Sequence, residues 1–173
     1  MWWRSSALIA ALFAGLAALA LAGCGFQPLY GGTTAGGAKL AEVMAAVEIT
    51  PIPGRVGQKL RNELIFANTG GGYASPTRYR LNIVIKESVT DTLVQITGDA
   101  TGQVYQLEAS FKLVDPSTRE VLFQGKAISR AAYNRLQEIF ANVRARYDAE
   151  NRAARTISES IKTQLAAFLA KAA

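Results

Sequence analysis

The chain has 173 residues, half of them apolar, which is enough for one packed domain and a leader. It contains no histidine and a single cysteine, which excludes zinc sites built from Cys and His, Cys–His and Ser–His–Asp catalytic sets, and intramolecular disulfides. The formal net charge of +6, from 19 Lys plus Arg against 13 Asp plus Glu, favours anionic partners such as nucleic acid, anionic lipid or a phosphorylated glycan.

Residues 1–23 read as a secretory leader. Arg4 supplies the positive start, and Ala7 to Ala22 contain no charged or strongly polar side chain. As a helix that run would rise roughly 24 Å, short of the ~30 Å hydrocarbon core, so a cleaved leader is favoured over a permanent span. It closes on Leu21-Ala22-Gly23-Cys24. This resembles the bacterial lipobox, in which small residues admit the lipoprotein signal peptidase and the thiol accepts a diacylglycerol. The mature chain would begin at lipid-bearing Cys24, with 150 residues and a side-chain charge of +5, since only Arg4 is lost. Several acyl chains anchor stably where one does not, at about 0.8 kcal/mol per buried CH₂. Gly25 follows in place of Asp, which is similar to proteobacterial lipoproteins sent to the outer membrane. Nucleic acid is then excluded as a partner by compartment.

Residues 24–42 are expected to form the lipidated N-terminus and a flexible tether, because "GGTTAGGA" at 31–38 lacks bulky apolar groups. Gly32 and Gly37 have the spacing of a phosphate-binding loop, but Ala38 stands where that loop needs Lys, so the motif fails. A single domain is expected over 43–173. Its first strand is read at Val43 to Ile52, stopped by Pro51 and Pro53. From about Val56 the period becomes helical, with Val56, Leu60, Leu64 and Ala67 on one stripe, ending at the glycines that follow Asn68-Thr69. Tyr79, Leu81, Ile83 and Ile85 then alternate with polar or outward residues, and the β-rich run reaches a turn at "TGDATG". A second alternating strand places Tyr105, Leu107, Ala109, Phe111 and Leu113 on one face. Asp115 to Thr118 form a turn. A last strand from about Glu120 to Arg130 has Val121, Phe123 and Ala127 inward. The C-terminal helix carries Ala154, Ile157, Ile161, Leu165 and Phe168 on one stripe, with Val143 and Tyr147 extending it backwards. The fold class expected is α+β: a two-layer α/β sandwich in the order β-α-β-β-β-α, with two helices on one face of a four-stranded sheet.

Several segments together resemble the LptE family of lipopolysaccharide-assembly lipoproteins, in the form common among alphaproteobacteria. They are "CGFQPLYG" at 24–31, "GRVGQKLRN" at 54–62, "YRL" at 79–81, "TGQVYQLEASFKLVD" at 101–115 and "GKAISRAAYN" at 125–134, followed by the Ala-rich last helix. The resemblance implies a plug inside the LptD outer-membrane β-barrel that supports barrel assembly and delivery of lipopolysaccharide. It implies a protein without catalytic residues, metal or cofactor other than the diacylglycerol and N-acyl chain on Cys24. Lipid A carries phosphates, which Lys and Arg recognise by charge-assisted hydrogen bonds. Lys126 and Arg130, on one face of the last strand, lie where similar proteins place basic residues; alternation adds Arg80, Lys86 and Lys112. A solvated sheet face is the competing reading for each. The turn at Gln95 to Asp99 departs from enteric members, whose loop there is often basic. The alternative function is a lipid-anchored periplasmic adaptor of another envelope machine, for barrel assembly or lipid transport. Replacing Cys24→Ala should leave a chain that retains its leader and incorporates no labelled palmitate in cells; normal processing of the variant would exclude Cys24 as the attachment point.

Overall fold

The alternation at residues 105–113 is carried into the structure, a computed structural model that describes residues 33–73, 75–94, 100–135 and 138–172. The leader, Cys24, the tether up to residue 32 and the turn at Gln95 to Asp99 lie outside the described residues. In chain order the elements are α1 (Leu40–Ala45), β1 (Val47–Ile49), α2 (Gly54–Thr69), β2 (Tyr79–Val94), β3 (Ala100–Val114), β4 (Val121–Asn134) and α3 (Ile139–Ala172). The sheet order is β1-β2-β3-β4. β1 runs parallel to β2 through the α2 crossover, and β2, β3 and β4 form an antiparallel meander.

Period two in the strands and period 3.6 in the helices meet on one side of this sheet. Tyr105, Leu107, Ala109, Phe111 and Leu113 of β3 are buried, together with Leu81 and Ile83 of β2 and Ala127 and Ala131 of β4. Against them lie Val56, Leu60 and Leu64 of α2 and the Ala153, Ile157, Ile161, Leu165 and Leu169 stripe of α3. Phe123 bridges the strand and helix aromatics, 5.9 Å from Phe111 and stacked 4.9 Å from Phe168, measured between ring centroids. Gly70 closes α2 in the left-handed conformation, φ 62°, with its N–H donated to the Phe66 carbonyl at 2.9 Å. At the β3–β4 turn, Asp115 accepts the N–H groups of Ser117 and Thr118 at 2.7 and 3.3 Å. Those N–H groups hold its carboxyl below the usual carboxylate range.

Four expectations need correction. The strand read at Val43 to Ile52 shrinks to Val47–Ile49, because Leu40, Val43 and Met44 turn as one buried helical face in α1. An apolar run of that length does not distinguish helix from strand until its neighbours, here α2 and α3, are in place. There are therefore three helices, not two. Leu40 to Glu42, assigned to the tether, form the first turns of α1. Before them Thr34 is buried and ties Ala38 into a turn, its N–H donated to the Ala38 carbonyl at 2.8 Å. The last strand continues to Asn134, and Val121 points outward. A bulge between Leu113 and Val114 pairs Val121 with Val114 but Phe123 with Leu113, which flips the side of the residue before it. Finally, Val143 and Tyr147 are exposed, since the first turns of α3 outrun the apolar part of the sheet.

Gly125 in β4 is dictated by packing. A Cβ there would lie 2.5 Å from Phe111 Cζ and 2.7 Å from Gln164 Oε1. Gly125→Ala should therefore cost about 1–3 kcal/mol in urea unfolding. Phe111→Leu added to it should cost less than the two changes summed, and strict additivity would mean the clash is not the cause.

Candidate functional site on the uncovered sheet face

Helices cover one side of the sheet, so every second residue of β2, β3 and β4 faces away from the core. Pairing stacks these residues in rows across the three strands: Asn82, Lys112 and Gln124; Val84, Ser110 and Lys126; Lys86, Glu108 and Ile128; Ser88, Gln106 and Arg130. Arg80 stands at the β1 side of the same face. All five basic residues singled out from the sequence thus share one surface. The even-numbered strand positions offer only Glu48 and Glu108 as carboxylates against them.

The five are not equally engaged. Arg80 Nε lies 3.1 Å from Glu48 Oε2, and Arg130 Nε donates to Gln106 Oε1 at 2.7 Å. Lys126 Nζ is 4.0 Å from Glu108, at the limit of an ion pair and well exposed. Lys86 and Lys112 have no ion pair among the described residues. Exposed pairs of this kind are worth about 0–1 kcal/mol and exchange readily for a stronger anion. A depression of about 540 Å³ opens between Lys112 and Lys126, lined also by Asn82, Val84, Ser110 and Gln124. Val84 is 73% exposed and Ile128 58% exposed on this face, so apolar patches alternate with cations. Such a surface suits a ligand that is both anionic and apolar.

A second polar cluster lies on the other side of the sheet, beneath the first turns of α3. Glu150 is buried and pairs with both Arg55 of α2 and Arg146 of α3, the latter at 2.9 Å. The same carboxylate keeps Arg146 firmly protonated. Arg55 also stacks over Tyr147, 4.4 Å from the ring centroid. Nearby, the Tyr105 hydroxyl donates to Glu87 at 2.8 Å, and burial raises its pKa so that it stays protonated. Cavities of about 420 and 470 Å³ flank Arg146. Here each named cation faces an anion, so the cluster fastens α3 to α2 and leaves no charge for a ligand. The open face, by contrast, sets Arg80, Lys86, Lys112, Lys126 and Arg130 against Glu48 and Glu108 alone.

The structure shifts emphasis within the sequence-derived set. Lys126 and Arg130 share a face but lie two rows apart, whereas Lys112 and Lys126 border one depression. Asn82, Val84, Ser110 and Gln124 were missed, although their even numbering marked them for this surface. The contact of Glu150 with Arg55 had no local signal, since 95 residues separate them.

The sequence model of the LptE lipopolysaccharide-assembly family matches residues 44–165. The chain belongs to the LptE family. That family is one of lipoproteins that assemble lipopolysaccharide without enzymatic activity or a cofactor. The match begins in α1 and ends near the close of α3, so it spans the whole sheet and both polar clusters. The fold agrees with solved lipoprotein structures. A candidate lipoprotein from Caulobacter crescentus CB15 superposes with a TM-score of 0.63 at 21% identity, covering 76% of this chain and 96% of that one. The uncharacterised lipoprotein B of Nitrosomonas europaea gives 0.53 at 15% identity, covering 70% and 82%. The minor lipoprotein of Acinetobacter baumannii gives 0.50 at 13%, covering 70% and 91%. No curated protein matches the chain by sequence. Among the described residues, no helix is long and apolar enough to cross a membrane.

Proposed function

We propose that this LptE-family chain is anchored to the outer membrane through lipidated Cys24, acts as plug and assembly partner of an LptD-like β-barrel, and meets lipopolysaccharide on its uncovered sheet face. It does so as a binding protein, without catalysis. The observation that carries the lipid contact is the gathering of Arg80, Lys86, Lys112, Lys126 and Arg130 on the one sheet face that no helix covers. Phosphates of the lipid A type would be held at the depression between Lys112 and Lys126, with Asn82 and Gln124 as neutral hydrogen-bonding neighbours. Val84 and Ile128 supply apolar contact beside it. Arg80, Lys86 and Arg130 add long-range attraction around that centre.

Affinity purification of the full chain from detergent-solubilised outer membrane should recover a large β-barrel; repeated recovery without an LptD-like protein would sink the plug role. Separately, Lys112→Ala with Lys126→Ala should weaken lipopolysaccharide binding roughly tenfold, the effect of about 0.7 kcal/mol per charge. The loss should be larger at low salt, where attraction is least screened. Equal affinity of the double variant and the unaltered chain would remove this depression from the site.

A further inference from the structure

A face built to attract anions has no evident use for a carboxylate, yet one stands at its centre. The even-numbered positions of β2, β3 and β4 hold a single acidic residue, Glu108. Its directly paired neighbours are Lys86 on β2 and Ile128 on β4. Opposite charges set facing each other on adjacent strands are placed to pair, and diagonal neighbours come within reach of long side chains. Here Lys86 makes no ion pair among the described residues. The carboxylate turns instead to the diagonal Lys126, whose Nζ is 4.0 Å from Glu108 Oε1. The Lys126 side chain is 71% exposed and that of Glu108 30%, so the lysine is the partner free to swing away.

Lys126 borders the depression of about 540 Å³ together with Lys112, whereas Glu108 lies outside its lining. At rest, Lys126 is therefore partly neutralised by a group that does not itself form the site. An entering anion has to take the lysine from that group. A phosphate monoester is equipped to do so, with more than one negative charge near neutral pH and three acceptor oxygens. Against it stands one carboxylate at the outer limit of pairing, in solvent, where such pairs are weak. When the ligand departs, the carboxylate recovers the lysine, and no isolated cation is left behind. Exchange of this kind lowers affinity and eases release, which suits a protein that hands its ligand on.

We propose that Glu108 is the resting counter-ion of Lys126, a positioning residue displaced when a ligand phosphate enters the depression. The inference rests on the reading of the Lys112–Lys126 depression as a phosphate site, and adds to it the residue that limits how tightly the site holds. It differs from plain repulsion. A carboxylate that only repelled the ligand would weaken binding whether or not Lys126 were present. A counter-ion acts through Lys126 and has no effect once that lysine is gone.

The test is a double-mutant cycle on the full chain in detergent, with affinity and dissociation rate measured over immobilised lipopolysaccharide at constant salt. Glu108→Gln should bind roughly threefold tighter than the unaltered chain and dissociate more slowly. Adding Glu108→Gln to Lys126→Ala should bring no such gain. Glu159→Gln, on the exposed side of α3, makes the same change in net charge and should leave binding as it was. Equal binding by Glu108→Gln and Glu159→Gln would overturn the proposal. So would a full gain that persists in the Lys126→Ala background, since that would make Glu108 a source of repulsion only. Failure of the underlying reading looks different: Lys112→Ala with Lys126→Ala would then bind as the unaltered chain does, and the counter-ion would fall with the site. Weakened binding in that pair beside an unchanged Glu108→Gln would overturn the role of Glu108 alone.

Discussion

The seam between α3 and the inner face of β3 and β4 sets the rest of the molecule. Small residues make it possible: Ala149, Ala153, Ala154 and Ala166 are fully buried on the helix, and Gly125 leaves room on the strand for Phe111 and Gln164. Close approach of helix and sheet then buries Leu107, Leu113, Ile157, Ile161 and Leu165, each side chain worth roughly 1.5–3 kcal/mol when removed from water. Side chains from α3 also reach the outer edge of β4, where Arg152 and Gln164 donate to the Ala132 and Lys126 carbonyls at 3.0 and 3.2 Å. Two carbonyls of an otherwise open strand edge are thereby occupied, which blunts that edge against unwanted pairing.

One-sided cover has a direct functional consequence. With α2 and α3 on the same side, the even positions of the meander face away from the helices, and the basic residues occupy such positions. The N-terminal end of the described chain also joins this frame: Ala35 N–H donates to the Ala170 carbonyl at 3.0 Å, beside the C-terminal end of α3. α3 has 34 residues, roughly 51 Å as a helix, and runs back along β4. The Lys112–Lys126 depression is therefore at the level of Gln164, in the half of the molecule nearer the N-terminal end of the described chain. The cluster around Glu150 and the exposed Ile139 and Phe140 occupy the opposite half.

That opposite half is held differently. Beyond Tyr105 the inner sheet face turns polar, with Glu87, Asp91 and Gln103, and α3 is fastened there through Glu150 to Arg55 of α2 and through Arg152 to the Ala132 carbonyl of β4. Asp91 accepts from Gln103 Nε2 at 2.6 Å, and Tyr133 donates to Gln103 Oε1 at 2.7 Å. A buried carboxylate such as Glu150 stabilises little relative to apolar packing, but losing one of its partners leaves an uncompensated charge. Polar fastening of this kind fixes the direction of α3 without extending the core.

Much of the architecture was legible because it rests on local periodicity. Alternation in β2 and β3, the apolar stripe of α2 and the long stripe of α3 each follow from residue spacing that no neighbour needs to supply. The shared face of Arg80, Lys86, Lys112, Lys126 and Arg130 follows too, since meander register preserves parity along each strand. Tertiary structure decided the rest, and the reason is contact between distant segments. Leu40 to Ala45 became a helix through packing on α2 and α3, and the bulge at Leu113–Val114 turned Val121 outward through its pairing partner. The union of Arg55 with Glu150, the depression between Lys112 and Lys126, and the contact of Glu108 with Lys126 each join residues from separate elements. By itself the sequence determined which side chains each element presents on which face; only the tertiary structure decided which of those faces meet, because that depends on burial shared between segments far apart in the chain.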